Sequence, residues 1–288
     1  MSVTNRKIKT SHAEIAFSES SGKGLPVLFI HGNSSSKEVF RRQIDSPIGE
    51  TYRMIAIDLP GHGASSDAFE PLRTYSLPGF ADAAIELLDV LGVRRAAVVG
   101  WSLGGHVAIE MSVRYPGMVG LMVTGTPPVS STLESIQAGF KPNPLVGLIG
   151  KEDFADEEVE AFGRGTYGGL YDDTLRAAIK RADGRLRRMT FANLLAGGPA
   201  DQKKVAENTL IPMAFVNGEA DPFVNLAYIN ALACPNLWDR HNYVLRGCGH
   251  VPFLEAPDAF NAILIRFLED MAKRDVRRGS RKSKVAAA

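Results

Sequence analysis

Ser102 lies in Gly100-Trp101-Ser102-Leu103-Gly104-Gly105, a G-x-S-x-G pattern. An apolar run at residues 96–99 precedes it, and a helical pattern starts at Leu103. That strand–turn–helix setting lifts a serine hydroxyl above the end of a sheet. The turn is tight and strained, and side chains larger than glycine beside it would collide with the strand and the helix. The Leu103 N–H then stands at a helix N-terminus, where it can stabilise an oxyanion. The chemistry offered is nucleophilic attack on an acyl carbon. A serine hydroxyl is a poor nucleophile near neutral pH, so a base must accompany it.

Six histidines are available for that role. On this kind of scaffold the chain order is Ser, then acid, then His, which leaves His241 and His250. His250 follows a strand run, in the loop Arg246-Gly-Cys-Gly-His250-Val-Pro. His241 precedes that run, at the wrong end of a sheet. His250 is therefore the expected base. His12 falls in an N-terminal hairpin and His106 on the helix after Ser102; His31 and His62 read as structural loop residues. The acid that holds the imidazole tautomer is expected in Glu219-Ala-Asp221-Pro. Asp221 fits better, because Pro222 belongs to a turn that presents its side chain; Glu219 is the alternative. Gly125-Thr126, after the preceding strand run, carries no acid. A second oxyanion donor is expected from His31-Gly32-Asn33, where Gly32 permits close backbone approach and the Asn33 N–H points at the anion.

Continuous apolar runs must position these residues. They occur at residues 26–30, 54–57, 96–99, 121–124, 212–216 and 243–245, and such runs read as strands buried on both faces. Helical patterns at 79–91, 103–115 and 258–271 alternate with them, and two short segments near 7–9 and 14–17 form a hairpin. The alternation implies an α/β fold with a mostly parallel eight-stranded sheet flanked by helices. It stops at residues 129–205, where helical pieces near 156–162, 174–182 and 186–195 form a cap insertion. Residues 1–128 and 206–272 make the core, and the basic stretch 273–288 reads as a disordered tail. The acidic run at 152–160 and the cluster Arg181, Arg185, Arg187 and Arg188 read as solvated helix faces.

Composition sets outer limits. With 33 Lys+Arg against 32 Asp+Glu, net charge gives no argument for nucleic acid or membrane. Cys234 and Cys248 are too few for a disulfide framework or a thiolate metal site; Cys248 reads as a small residue at a strand end. No apolar run is long enough for a membrane span, and the N-terminus lacks an apolar signal region. A cytoplasmic location is the expectation. Neither a metal-binding histidine cluster nor a dinucleotide loop occurs, so no metal and no cofactor is expected.

From about residue 7 to 272 these motifs resemble the α/β-hydrolase superfamily. The segments His31-Gly-Asn-Ser-Ser-Ser36, Asp58-Leu-Pro-Gly-His-Gly63, Gly100-Trp-Ser-Leu-Gly-Gly-His106, Gly120-Leu-Met-Val-Thr-Gly-Thr-Pro-Pro-Val129, Val216-Asn-Gly218 and Pro222-Phe-Val224 look like the metal-independent N-acyl-homoserine lactonases. That family often carries Glu before Pro-Phe-Val; here it is Asp221. The resemblance implies a quorum-quenching lactonase that opens a lactone ring through an acyl-enzyme. Gly32, Trp101, Phe140, Phe154, Phe162 and Phe191 are then the expected substrate contacts, the phenylalanines holding the acyl tail. A carboxylesterase or carbon–carbon bond hydrolase would share the triad, and a triad-bearing ligand receptor is a further alternative. A carboxylate nucleophile, as in dehalogenases and epoxide hydrolases of this fold, is excluded by Ser102.

Overall fold

The computed structural model describes the backbone of residues 2–286 and the side chains of residues 2–276. Eight strands form one sheet in the order β1-β2-β4-β3-β5-β6-β7-β8. They are β1 Val3–Lys9, β2 Glu14–Ser20, β3 Gly24–Ile30, β4 Tyr52–Ile57, β5 Ala96–Trp101, β6 Met118–Thr124, β7 Met213–Gly218 and β8 Tyr243–Leu245. The pairs β1–β2 and β2–β4 are antiparallel, and every pair from β4 to β8 is parallel. The sequence expectation of a mostly parallel eight-stranded α/β sheet is met. The hairpin strands extend further than their apolar residues indicated. β1 is an edge strand with mostly exposed side chains, so its apolar content carries little signal.

The central strands are apolar throughout because two cores share them. Along β3, Leu28 and Ile30 enter one core while Val27 and Phe29 enter the other. Along β5, Val98 faces the first while Ala97 and Val99 face the second. The first core is closed by helices Leu77–Val90 and Leu103–Ser112, through Phe80, Leu87 and Val107. The second is closed by Phe253, Phe260 and Phe267 of the C-terminal segment. The result is the three-layer arrangement of helix, parallel sheet and helix.

Between β6 and β7 the chain forms helices Leu133–Gly139, Asp156–Tyr167, Asp173–Arg181, Gly184–Leu195 and Gln202–Asn208. Their starts are chemically marked: Thr132, Asp172, Asp183 and Asp201 each accept a backbone N–H of the first turn. The acidic and basic clusters are not merely solvated, since they pair with each other and with the core. Lys180 meets Asp156 at 2.7 Å, Arg188 bonds Glu152, and Arg181 reaches Asp67 at 3.1 Å. Arg187 departs further from the expectation and is buried.

The stretch 273–288 was expected to be a disordered tail; among the described residues, helix Pro257–Ala286 runs into it. Met271 anchors the helix in the core, and one turn on Asp275 pairs with Arg95. Lys and Arg are also good helix formers, so nothing stops the helix at Ala272. The remainder of that expectation, residues 287–288 and the side chains from 277, lies outside the described residues.

Candidate active site

Four of the strands deliver the candidate residues at their carboxyl ends, where sites form on open parallel sheets. Ser102 follows β5, Asn33 follows β3, Asp221 follows β7 and His250 follows β8. Ser102 has φ 53° and ψ −121°, a strained backbone that a non-glycine residue adopts at a cost of about 1–3 kcal/mol. The flanking glycines are required by contact. A Cβ on Gly100 would lie 2.4 Å from the Gly104 carbonyl oxygen, and one on Gly104 would lie 2.1 Å from that of Ile30. The elbow is fixed further by the Ser102 N–H donating to Thr124 O and the Thr126 hydroxyl donating to Ser102 O, both at 3.0 Å. Ser102 Oγ makes no hydrogen bond to another described residue; bonds of this kind are commonly loose before substrate binds.

Asp221 and His250 are in contact. His250 Nδ1 donates to Asp221 Oδ2 at 2.8 Å, while Asp221 Oδ1 accepts the N–H groups of Phe223 at 2.8 Å and Val224 at 3.1 Å. Burial acts to raise the Asp221 carboxyl, but the His250 charge and these hydrogen bonds outweigh it and hold the pKa below the ordinary carboxylate value. The imidazole is held on several sides. Trp101 Nε1 donates to the His250 carbonyl at 2.9 Å, and the Phe223 ring meets the imidazole edge-on at 4.8 Å. Gly125 matters through what it lacks: at φ +62°, a Cβ there would lie 2.6 Å from His250 Cε1. Glu219, the alternative acid, is exposed and accepts the Gly247 N–H at 3.1 Å.

The Leu103 and Asn33 N–H groups make no hydrogen bond to a described residue. Gly32 brings the Asn33 loop against the elbow, since a Cβ there would lie 3.1 Å from Ser102 Cβ. That loop is tied to the helical stretch residue by residue. Arg187 donates to Ser34 Oγ at 2.9 Å, Ser34 donates to Asn33 Oδ1 at 3.1 Å, and Asn33 Nδ2 donates to Ile149 O at 3.3 Å. Tyr167 donates to Ser35 Oγ at 2.9 Å. The Asn33 side chain is thus largely occupied, which leaves its backbone as the free donor.

Two buried histidines shape the same loop. His31 Nδ1 donates to Gly32 O and Nε2 accepts the Leu59 N–H; His62 Nδ1 donates to Pro60 O and Nε2 accepts the Ser34 N–H. Both rings are neutral in this arrangement and both are fully buried. Burial lowers the pKa of each, and the neighbouring ring lowers His62 further. A group with a depressed folded pKa takes up protons more readily when unfolded, so stability is present above the ordinary histidine value of 6.5 and is lost as pH falls below it. We expect stability to fall between pH 7 and pH 5.5, by up to about 1.4 kcal/mol per pH unit for each such histidine, and the thermal midpoint to fall with it. A pH series of melting curves checks this. A midpoint that stays constant or rises on acidification would contradict the buried neutral assignment.

Ser102, His250, Asn33, Leu103 and Trp101 line one cavity between the sheet end and the helical stretch. Phe140, Phe162 and Phe191 also line it. Phe154 is not on its wall: its ring packs 5.5 Å from Phe162 and lies 4.1 Å beneath the Arg187 guanidinium. Gly32 contributes close approach rather than lining. Arg187 was missed, although its spacing was informative. Arg187, Thr190, Phe191 and Leu194 stand at i, i+3, i+4 and i+7, one helix face, and all four line the cavity. His106, which the sequence places only on the helix after Ser102, also lines it.

Known proteins resemble this chain over most of its length. The model of the alpha/beta hydrolase family matches residues 27–263. A 2-hydroxy-6-oxononadienedioate/2-hydroxy-6-oxononatrienedioate hydrolase from Pseudomonas sp is 28% identical, covering 84% of this chain and 87% of its own. A pimeloyl-[acyl-carrier protein] methyl ester esterase from Nitrosospira multiformis is 27% identical, covering 86% and 96%. Among solved structures, the N-acyl homoserine lactonase AidH complexed with N-butanoyl homoserine superposes with TM-score 0.91 at 45% identity, over 93% of this chain and 97% of that one. A serine-to-glycine mutant of AidH complexed with N-hexanoyl homoserine lactone gives TM-score 0.91 at 44% identity, over 94% and 99%. With the elbow at the end of β5 and this match over most of its length, the chain belongs to the alpha/beta hydrolase family.

Proposed function

We propose that the chain is an N-acyl-homoserine lactonase, a quorum-quenching hydrolase that uses Ser102, His250 and Asp221. The observation that carries this reading is an oriented imidazole and a strained serine on the wall of one largely apolar cavity, in a chain 45% identical to AidH over nearly its whole length. An apolar cavity with a few convergent polar groups suits an acyl chain ending in a polar head.

In this mechanism Ser102 Oγ attacks the lactone carbonyl carbon while His250 Nε2 takes the hydroxyl proton. Asp221 stabilises the resulting imidazolium. The Asn33 and Leu103 N–H groups bind the oxyanion, the second aided by the dipole of helix Leu103–Ser112. Collapse breaks the ring C–O bond, and His250 returns its proton to the leaving alkoxide, which stays tethered to the acyl-enzyme. Water deprotonated by His250 then attacks the ester, and N-acyl-homoserine leaves. We assign residues 129–205 as a cap over this chemistry, with 1–128 and 206–272 as the core; Phe140, Phe162 and Phe191 would face the acyl tail from the cap. Cys234 and Cys248 are free thiols, and no helix among the described residues is long and apolar enough to cross a membrane; both fit a cytoplasmic enzyme.

The test is incubation with N-acyl-homoserine lactones of graded chain length, with and without chelator, read by mass spectrometry. Addition of one water to the lactone, insensitive to chelator, is the expected result. Rapid aryl-ester cleavage with no product from any lactone would replace this reading with an esterase.

A further inference from the structure

Two imidazoles line the cavity, His250 and His106. His106 stands one helical turn beyond Ser102, on helix Leu103–Ser112, with its ring 6.1 Å from that of Phe140. Its tautomer is dictated by a neighbour. Gln202 Nε2 donates to the His106 carbonyl at 2.9 Å, so the other end of that amide, Oε1, is the acceptor. Gln202 Oε1 lies 2.6 Å from His106 Nδ1. An amide oxygen only accepts, so the ring proton sits on Nδ1 and Nε2 keeps a lone pair. Nε2 makes no hydrogen bond to a described residue, yet it is not sealed inside protein. Burial lowers the pKa of this imidazole, which keeps the ring neutral near neutral pH. The wall around it is apolar, with Val129, Ile136, Phe140 and Leu194.

Resting on the lactonase reading, we propose that His106 Nε2 is a specificity-determining acceptor for a hydroxyl on the acyl chain, so that 3-hydroxyacyl substrates are preferred over 3-oxoacyl ones. The lactone carbonyl is held at Ser102, and His106 follows one helical turn later, about 5.4 Å of axial rise, on the wall of the same cavity. That rise is comparable to the span from the lactone carbonyl to the chain just past its amide. A 3-hydroxyl there donates to the lone pair. A 3-oxo group can only accept, so it sets one acceptor against another and leaves both unpaired, the kind of mismatch a polar site rejects. An unsubstituted chain falls between the two.

The experiment measures kcat/KM for 3-hydroxy, unsubstituted and 3-oxo lactones of one chain length, on the wild type and on His106→Phe and Gln202→Met. On the wild type the 3-hydroxy substrate should lead the unsubstituted one by roughly 3- to 10-fold, with the 3-oxo substrate lowest. His106→Phe should bring the three values together. Gln202→Met frees the ring to carry its proton on Nε2, so it should narrow the gap between 3-hydroxy and 3-oxo while His106 remains in place. A purely structural His106 would not move that ratio. Equal wild-type values for all three lactones, or a His106→Phe protein that loses the same factor on each, overturns the proposal alone. Failure to open any lactone removes the lactonase reading and this proposal with it.

Discussion

Ser102→Ala is expected to lower kcat/KM for lactone opening by roughly 10⁶-fold, as loss of the nucleophile does in other serine hydrolases. The fold should survive. Ser102 Oγ bonds to no described residue, and the contacts that hold the elbow run through its backbone N–H and carbonyl. Alanine has the same Cβ as serine, so the strained φ of 53° is neither relieved nor worsened. Ser102→Gly separates the two effects. It should be equally inactive yet more stable, because glycine tolerates positive φ and releases about 1–3 kcal/mol of strain. His250→Ala should lose nearly as much activity, and the double variant little more than either single one, since residues acting as one unit are non-additive. Circular dichroism and melting curves report the fold, and product formation reports the chemistry. An alanine variant that keeps even one hundredth of the wild-type rate would remove Ser102 from the mechanism.

The elements around this serine were legible because parallel strands buried on both faces leave continuous apolar runs. Residues 96–99 and 121–124 gave β5 and β6 in this way, and the glycines around Ser102 marked the elbow. The roles of Gly125 and Asn217 were not legible. Gly125 leaves room for the His250 ring, and its N–H donates to the Asn217 side chain at 2.9 Å. Those contacts join three strand ends, and nothing local in the sequence encodes such a meeting. The same limit applies to the helical stretch between β6 and β7. A phenylalanine in such a segment marks an apolar position but not what lies opposite. Phe162 and Phe154 look alike in sequence, yet only Phe162 reaches the cavity, because Arg187 covers the Phe154 ring. Arg187 itself looked like a surface charge within a basic cluster. Its burial is sustained by bonds to the Lys151 and Glu152 carbonyls and to Ser34, partners distant in sequence and visible only once the chain is folded.

Asp221→Asn should lower kcat by roughly 10⁴-fold, in the manner of the corresponding change in a serine protease triad, and the structure supplies the reason. The Phe223 and Val224 N–H groups both donate to Asp221 Oδ1. In an asparagine, that position must therefore hold the amide oxygen. The NH2 group is left facing His250 Nδ1, 2.8 Å away in the wild type. A donor there forces Nδ1 to accept, which moves the ring proton to Nε2. The nitrogen that should take the Ser102 proton is then already protonated, and the imidazolium loses its counter-charge. Asp221→Glu restores the charge and an acceptor, at the cost of one methylene in a buried loop. Activity within about tenfold of the wild type is expected. Glu219→Gln, on the exposed side of the same loop, should leave kcat unchanged. If Glu219→Gln carried the loss and Asp221→Asn did not, the acid would be Glu219, and the buried contact between Asp221 and His250 would be structural.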